Sequence, residues 1–174
     1  GSNIRFDKEV VCLGVLLDAE LTMAPHIRRM TSRCFYHLRQ IRSIRRSLSR
    51  ESTTLLIHAF VNSRVDYCNA ILQGACSTRL DKIQSILNAA ARVIVGKRKF
   101  DHITPSLRDD LHWLPIWQRI QFKQCTLVYR SLHQLAPSYI SEMCVPVAPV
   151  EGRHHLRSAG LGKLSVPRTR TGTF

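Results

Sequence analysis

The chain has six cysteines among its 174 residues but no C-x-x-C pair. Zinc sites usually draw on closely spaced cysteine pairs, so we expect no metal site here. No run of roughly 18 apolar residues exists that would cross a membrane as a helix. The N-terminus also lacks the layout of a signal peptide, which is charged and then apolar. These absences predict an intracellular protein with no membrane segment and no bound metal.

The motifs that mark common catalytic centres are absent as well. The sequence contains no P-loop, no G-x-S-x-G, no H-E-x-x-H and no glycine-rich dinucleotide turn. Asp101-His102 could pair a base with its orienting group, but adjacent side chains rarely face each other, and Asp101 suits a cap. Asp109-Asp110 could bind magnesium, although an exposed acidic pair is more often solvated. We therefore expect no catalytic residues and no cofactor.

Acidic residues are scarce relative to basic ones. The chain has 26 Lys and Arg against 12 Asp and Glu, which gives a net charge of +14 and a pI near 10.3. Such a balance points to nucleic acid or to an anionic membrane surface as a partner. Because 44% of the residues are hydrophobic, the chain can nevertheless bury one good core.

The imbalance is greatest between His26 and Arg50, where eight arginines occur without an acidic residue. An apolar ladder at helical spacing runs through this segment: Ile27, Met30, Cys34, Leu38, Ile41, Ile44 and Leu48. At about 100° per residue, five arginines gather on the flank away from that ladder, with Phe35 among them. They are Arg28, Arg39, Arg42, Arg46 and Arg50.

Two interpretations of this arginine-rich flank compete. Surface helices are commonly charged, but they usually interleave glutamates that pair with the basic residues four positions away. Here like-charged neighbours repel without such relief, which favours an anionic partner. Phe35 is more simply the edge of the buried stripe than a residue that stacks on a base.

A second basic cluster is expected at the end of a later helix. Apolar spacing predicts a helix from Ser77 or Thr78 to a left-handed cap at Gly96. Cations after it would lie at the negative end of the helix dipole, which stabilises the helix and also suits phosphates. The cluster comprises Arg92, Lys97, Arg98 and Lys99.

The remaining pattern predicts a mainly α fold of five to six helices. The first twenty residues indicate a β-hairpin, with strands such as Ile4-Arg5-Phe6 and Val10-Val11-Cys12-Leu13 closed by Gly14. Ser49 suits the N-cap of a helix with a kink near Asn62-Ser63. Its inward residues are predicted to be Leu55, Leu56, Ala59, Phe60 and Tyr67.

Further helices are predicted to start at Thr104-Pro105, at Pro115 and at Pro137. The helix from Pro115 should reach about Gln134, and the last one Met143. Beyond it, prolines, glycines and arginines predict an extended basic tail. We expect four residues in the core: Trp113, Trp117, Cys34 and Cys125.

Several motifs along the chain resemble the region after the polymerase domain in non-LTR retrotransposon (LINE) reverse transcriptases of the jockey superfamily. They occur in the family's order over nearly the whole chain, and the positions Arg108-Asp109-Asp110 and His133 depart from the pattern. The matching motifs are Leu13-Gly14-Val15, Leu17-Asp18, His26-Ile27, Asp66-Tyr67-Cys68-Asn69, Asn88-Ala89-Ala90-Ala91-Arg92, Asp101-His102-Ile103-Thr104-Pro105, Leu111-His112-Trp113-Leu114-Pro115, Arg119-Ile120, Phe122-Lys123, Leu135-Ala136-Pro137-Ser138-Tyr139 and Val166-Pro167-Arg168-Thr169-Arg170.

The resemblance implies a division of the chain into four parts. Residues 1–20 would end the polymerase palm, 24–96 would form a three-helix thumb-like region, 101–144 a helical C-terminal segment, and 145–174 the extended tail. The catalytic aspartates of the family lie in the upstream palm, so the chain would be part of a longer protein and inactive alone. Its partners would be the palm and RNA, RNA–DNA hybrid or DNA, in the nucleus.

Two alternatives remain open from the sequence. The chain could be a helical protein-interaction module whose arginines meet acidic partners and whose hairpin adds to a partner's sheet. It could also be a non-functional relic of a retrotransposon reading frame.

Overall fold

The structure is a computed structural model that describes residues 8–147 and 163–165. Over these residues the protein is mainly helical, with a two-stranded antiparallel hairpin at the N-terminal end, as the sequence predicts. The chain forms two compact units, Gly1–Lys123 and Gln124–Phe174. None of the helices described is long and apolar enough to span a bilayer.

The hairpin pairs β1 (Glu9–Cys12) with β2 (Val15–Asp18). Its two-residue turn is Leu13-Gly14, and both residues have positive φ, 47° and 83°. A turn of this kind matches the natural twist of paired strands. The predicted hairpin is therefore confirmed, but its second strand follows Gly14 instead of preceding it. The expected strand at Ile4-Arg5-Phe6 lies outside the described residues.

Helix α1 (Ala24–Ser43) begins where the Asp18 carboxylate accepts hydrogen bonds from the backbone N–H groups of Thr22 and Met23. The predicted ladder is buried as far as Ile41. It then fails, because the helix ends at Ser43 and a 3₁₀ turn (Arg45–Ser47) redirects the chain. Ile44 is consequently half-exposed, while Leu48 packs on the rim of the core.

The segment after α1 starts as predicted, because the Ser49 hydroxyl accepts from the backbone N–H of Ser52, 3.0 Å away. Helix α2 (Arg50–Ile57), a π-helical turn (His58–Asn62) and helix α3 (Ser63–Asp66) follow one another. The predicted irregularity near Asn62 is this π turn.

The inward face predicted for this segment is mostly wrong. Leu55, Phe60 and Tyr67 are 70%, 40% and 52% exposed, Ala59 is exposed, and only Leu56 packs against the core. In an ideal α-helix, each step of four residues turns the direction of the side chain by about 40° around the helix axis. A π turn has more residues per turn than an α-helix, so it offsets this rotation and keeps residues four apart on the same face. The π turn thus keeps a different set buried: Thr53, Ile57, Val61 and Val65.

Helix α4 (Ser77–Val95) matches its prediction closely. It ends at Gly96, which has φ 73° in the left-handed region. Ala90 and Ala91 are fully buried, and the small side chains allow α1 to pack closely along α4. A short 3₁₀ turn (Asn69–Leu72) leads into this helix.

A π-helical turn (Ser106–Asp110) and helix α5 (Ile116–Leu132) follow α4, near the predicted starts. Trp113 is buried as expected, but Trp117 is 50% exposed, so its expected place in the core is wrong. Cys34 is fully buried, whereas Cys125 is exposed, contrary to expectation. Both errors lie on α5, whose buried stripe is narrow.

The second unit contains helix α6 (Ser138–Ser141), within the predicted range. Beyond it, Pro146 and Leu164 form an isolated antiparallel bridge. Two backbone hydrogen bonds flank it, from Val147 N to Lys163 O (2.8 Å) and from Ser165 N to Val145 O (2.7 Å). The rest of the predicted tail, 148–162 and 166–174, lies outside the described residues.

Candidate nucleic-acid interface

A groove of about 360 Å³ lies between the second half of α1 and the last turns of α4. Its basic side chains come from both helices and from the segment that follows α4: Arg39, Arg42, Arg92 and Lys99. Its apolar floor consists of Phe35, Leu38, Ala89 and Val93. Phe35 is half-buried and packs against the core, as its interpretation as the edge of the buried stripe predicts.

A second groove of about 350 Å³ adjoins the first, since Arg42, Arg92 and Val93 line both. It adds Arg45, Arg46, Gly96 and Lys97. We call the two together the basic grooves. Among residues 8–147 and 163–165, seven cationic side chains line them and no carboxylate does. The arginine flank and the cluster after α4, predicted separately, therefore meet on one surface.

Lys97 and Arg92 are engaged in hydrogen bonds inside the protein. Lys97 Nζ donates to Ser106 Oγ (2.9 Å) and to the carbonyl oxygen of His102 (3.2 Å). Arg92 Nη2 donates to the carbonyl oxygen of Asp101 (3.2 Å), and its Nε is buried without a partner among the described residues. Lys97 and Arg92 therefore hold the loop after α4 in place and add positive charge to the grooves from below.

Arg39, Arg42 and Arg46 differ from those two because their side chains are exposed. No hydrogen bond or ion pair to another described residue engages their guanidinium groups. Each guanidinium retains a planar fork of donors that matches two oxygens of a phosphate. These three residues are therefore open to an external anion.

Arg28, Arg50 and Arg98 lie apart from these three. Arg28 precedes Arg42 by fourteen residues on α1, which is about 21 Å along the helix axis. Arg50 is exposed at the first residue of α2, and Arg98 is exposed beside the grooves without lining them. Lys99 lines the first groove, and its ammonium lies 5.2 Å from the centroid of the Phe100 ring.

Arg45 lines the second groove but was not among the predicted residues. It donates from Nε to the carbonyl oxygen of Val93 (2.9 Å), from Nη2 to that of Ile94 (3.1 Å) and from Nη1 to that of Leu48 (3.0 Å). On a helical wheel Arg45 falls in line with Ile27, on the apolar side. That position was a signal that this arginine bonds within the fold.

The acidic candidates have local structural contacts. Asp101 Oδ2 accepts from the backbone N–H of Arg98 (2.7 Å), so it holds the turn after α4 and not the start of the next helix, which it was expected to cap. Asp109 pairs with Arg108 at the surface, and the hydrogen bond from Arg108 lowers the pKa of the Asp109 carboxyl. Among residues 8–147 and 163–165, no three His, Cys, Asp or Glu side chains cluster as a metal site would require.

Comparison of the chain with protein-family models, with curated proteins and with solved structures gives no match. The resemblance to LINE reverse transcriptases therefore stays a prediction from the sequence motifs.

Proposed function

We propose that the chain is the nucleic-acid-binding thumb and C-terminal portion of a LINE-type RNA-directed DNA polymerase. In this role it grips RNA, RNA–DNA hybrid or DNA, while the catalytic aspartates belong to a palm outside the chain. The order of the sequence motifs supports the family, and the basic grooves support the binding role. The chain by itself is expected to incorporate no nucleotides.

The observation that carries the binding role is the meeting of two basic segments in grooves that no carboxylate of the described residues lines. Cations held this close repel one another, and a polyanion relieves that repulsion while releasing its own counterions. Because α1 and α4 are packed along each other, the backbone positions of Arg39 and Arg42 are set before a ligand arrives. This favours contacts with phosphates, which depend little on base sequence.

The salt dependence of binding tests this role. We would measure the affinity for a short RNA–DNA hybrid over a series of salt concentrations, for the native chain and for the triple variant Arg39→Gln, Arg42→Gln, Arg46→Gln. Each lost phosphate contact should reduce the slope of log affinity against log salt by about 0.7 to 0.9. The variant should keep its helical circular dichroism, because all three side chains are exposed.

A matched control removes three positive charges elsewhere, at the exposed Lys82, Lys123 and Arg130. The change in net charge is the same in both variants. If the nucleic acid binds in the basic grooves, the control variant should therefore lose less of the slope of log affinity against log salt. An unchanged slope in the groove variant, or equal losses in both variants, would overturn the assignment of the grooves.

One observation favours the alternative of a protein-interaction module. Strand β1 is exposed along its whole length, where Val10 and Val11 are 56% and 55% exposed, and Leu13 in the turn that follows is 84% exposed. An exposed apolar strand can pair with the sheet edge of another protein. Tighter binding to an acidic protein than to any nucleic acid, in the same salt series, would favour this alternative.

A further inference from the structure

A third cationic groove lies on the other flank of α1, between the hairpin turn, α1 and α3. Its volume is about 360 Å³. Its lining includes Gly14, Arg29, Arg33, Ser63, Arg64 and Tyr67. We propose that this groove binds a single phosphate group, carried by a nucleic-acid backbone or by a free monophosphate.

The groove is separate from the basic grooves, with which it shares no lining residue. Arg29 and Arg33 are four residues apart and therefore lie on one side of α1. Arg33 and Arg39 point about 120° apart around the same helix. The arginines of α1 thus form two groups, and the second group is completed by Arg64, which is far away in sequence.

No residue that the structure describes neutralises the charge in this groove. No carboxylate of the described part of the chain lines it, and Arg29 and Arg33 form no hydrogen bond or ion pair with another described residue. Arg64 donates one hydrogen bond from Nη1 to the carbonyl oxygen of Phe60 (2.8 Å), which leaves its other N–H groups available to an anion. Burial lowers the pKa of His26, and the positive charge of Arg29 lowers it further. An anion would relieve this accumulation of positive charge.

The walls of the groove are fixed to one another. The Tyr67 hydroxyl donates to the carbonyl oxygen of Leu13 (2.6 Å), which ties the hairpin turn to the end of α3. The backbone N–H of Leu16 donates to His26 Nδ1 (3.2 Å), which ties the same hairpin to α1. A groove whose three segments are linked in this way needs little rearrangement to receive a ligand.

The available donors match a phosphate. The Ser63 and Tyr67 hydroxyls already donate to the carbonyl oxygens of Ala59 and Leu13, so the guanidinium groups are the donors that remain. Guanidinium forks bind tetrahedral oxyanions with paired hydrogen bonds, and several positive charges attract the negative charge of a phosphate group. The inference is independent of the proposed function, because it requires only a phosphate group and not a polymer.

The experiment is a titration of the ¹⁵N-labelled chain with inorganic phosphate, followed by NMR at constant pH and ionic strength. Saturable shifts are expected at the backbone amides of Gly14, Ser63 and Tyr67. The double variant Arg29→Gln, Arg33→Gln should weaken this binding at least about tenfold. A control that removes two charges elsewhere, Lys82→Gln and Arg130→Gln, should leave it unchanged.

A second variant, Arg29→Lys with Arg33→Lys, retains the charges and guards against a loss that merely reflects unfolding. It should bind phosphate more weakly than the native chain but more strongly than the glutamine variant, because lysine keeps the charge without the fork. Unsaturable shifts in the native chain, or native binding in the glutamine variant, would overturn the proposal.

Competition identifies the source of the phosphate. Displacement of inorganic phosphate by an oligonucleotide without terminal phosphates supports a backbone phosphate, and displacement by a nucleoside monophosphate alone supports a free monophosphate. Displacement by neither would overturn the proposal. Because the variant of Arg39, Arg42 and Arg46 leaves this groove intact, failure of the proposed function is distinguishable from failure of this inference.

Discussion

The Arg45 guanidinium lies across the C-terminal end of α4, where its Nε donates to the carbonyl oxygen of Val93, 2.9 Å away. Carbonyl groups in the last turn of a helix have no partner within the helix, and a cation placed there also meets the negative end of the dipole. Arg45 therefore joins the end of α1 to the end of α4 and fixes the geometry of the basic grooves.

Replacing Arg45 with Ala should lower the free energy of unfolding by about 1.5 to 3 kcal/mol, since hydrogen bonds from a charged, partly buried group are lost. Urea denaturation measures the change. Arg46→Ala is the control, because Arg46 is exposed and its loss should cost less than about 0.5 kcal/mol. Equal losses in the two variants would contradict the structural role of Arg45.

The two tryptophans should contribute differently to stability. Trp113 is 9% exposed and contacts His58 and Arg119, whereas Trp117 is 50% exposed. Trp113→Ala should therefore cost about 3 to 5 kcal/mol by leaving a cavity. Trp117→Ala should cost under about 1 kcal/mol. Urea denaturation of both variants tests this difference, and a larger loss for Trp117 would contradict the burial of Trp113.

The cysteines should differ in reactivity. Cys76 is exposed, and hydrogen bonding with the Thr78 hydroxyl (3.2 Å) lowers the pKa of its thiol. Cys34 is buried, which raises its pKa to about 11. Because the thiolate is the nucleophile, iodoacetamide should alkylate Cys76 much faster than Cys34 in the folded protein. Mass spectrometry of the peptides measures the two rates.

Thr78→Val removes the hydroxyl and should slow alkylation of Cys76 without changing Cys34. If Cys34 reacted as fast as Cys76 under native conditions, its burial in the core would be contradicted.

Stability should fall as the pH is lowered through the titration range of histidine. Burial lowers the pKa of both His26 and His37 below the ordinary value of about 6.5, so the unfolded chain binds protons more readily. The stabilisation from the neutral rings is complete above about pH 6.5 and decreases as the pH falls towards the lowered values. Urea denaturation between about pH 7.5 and about pH 5.5 should show this loss.

His26→Gln provides the matched variant, because glutamine can accept from the Leu16 N–H but does not titrate. Its stability should depend less on pH than that of the native chain, with a residual dependence from His37. The same pH dependence in both proteins would exclude His26 as a contributor.

Where local chemistry dominated, the sequence predicted the structure well. Helix α4 follows from apolar spacing and from Gly96, and the start of α2 follows from Ser49, because each depends on neighbours within one or two turns. The inward face of α2 and α3 did not follow, because the π turn at His58–Asn62 changes the phase of the helix. No single residue in that segment predicts the π turn. The sequence signal for it is the four-residue spacing of Thr53, Ile57, Val61 and Val65.

The sequence by itself determined that the protein is mainly helical, strongly basic and equipped with an arginine-rich α1, since composition and spacing belong to the chain alone. Only the tertiary structure decided what each arginine does. The reversal after Ser43 brings Arg45 to the carbonyl groups of α4 and leaves Arg39, Arg42 and Arg46 beside Arg92 and Lys97. The same reversal places Arg64 in one groove with Arg29 and Arg33. Charge is a property of one residue, but an anion site requires several charges at one place, and packing between distant segments sets that place.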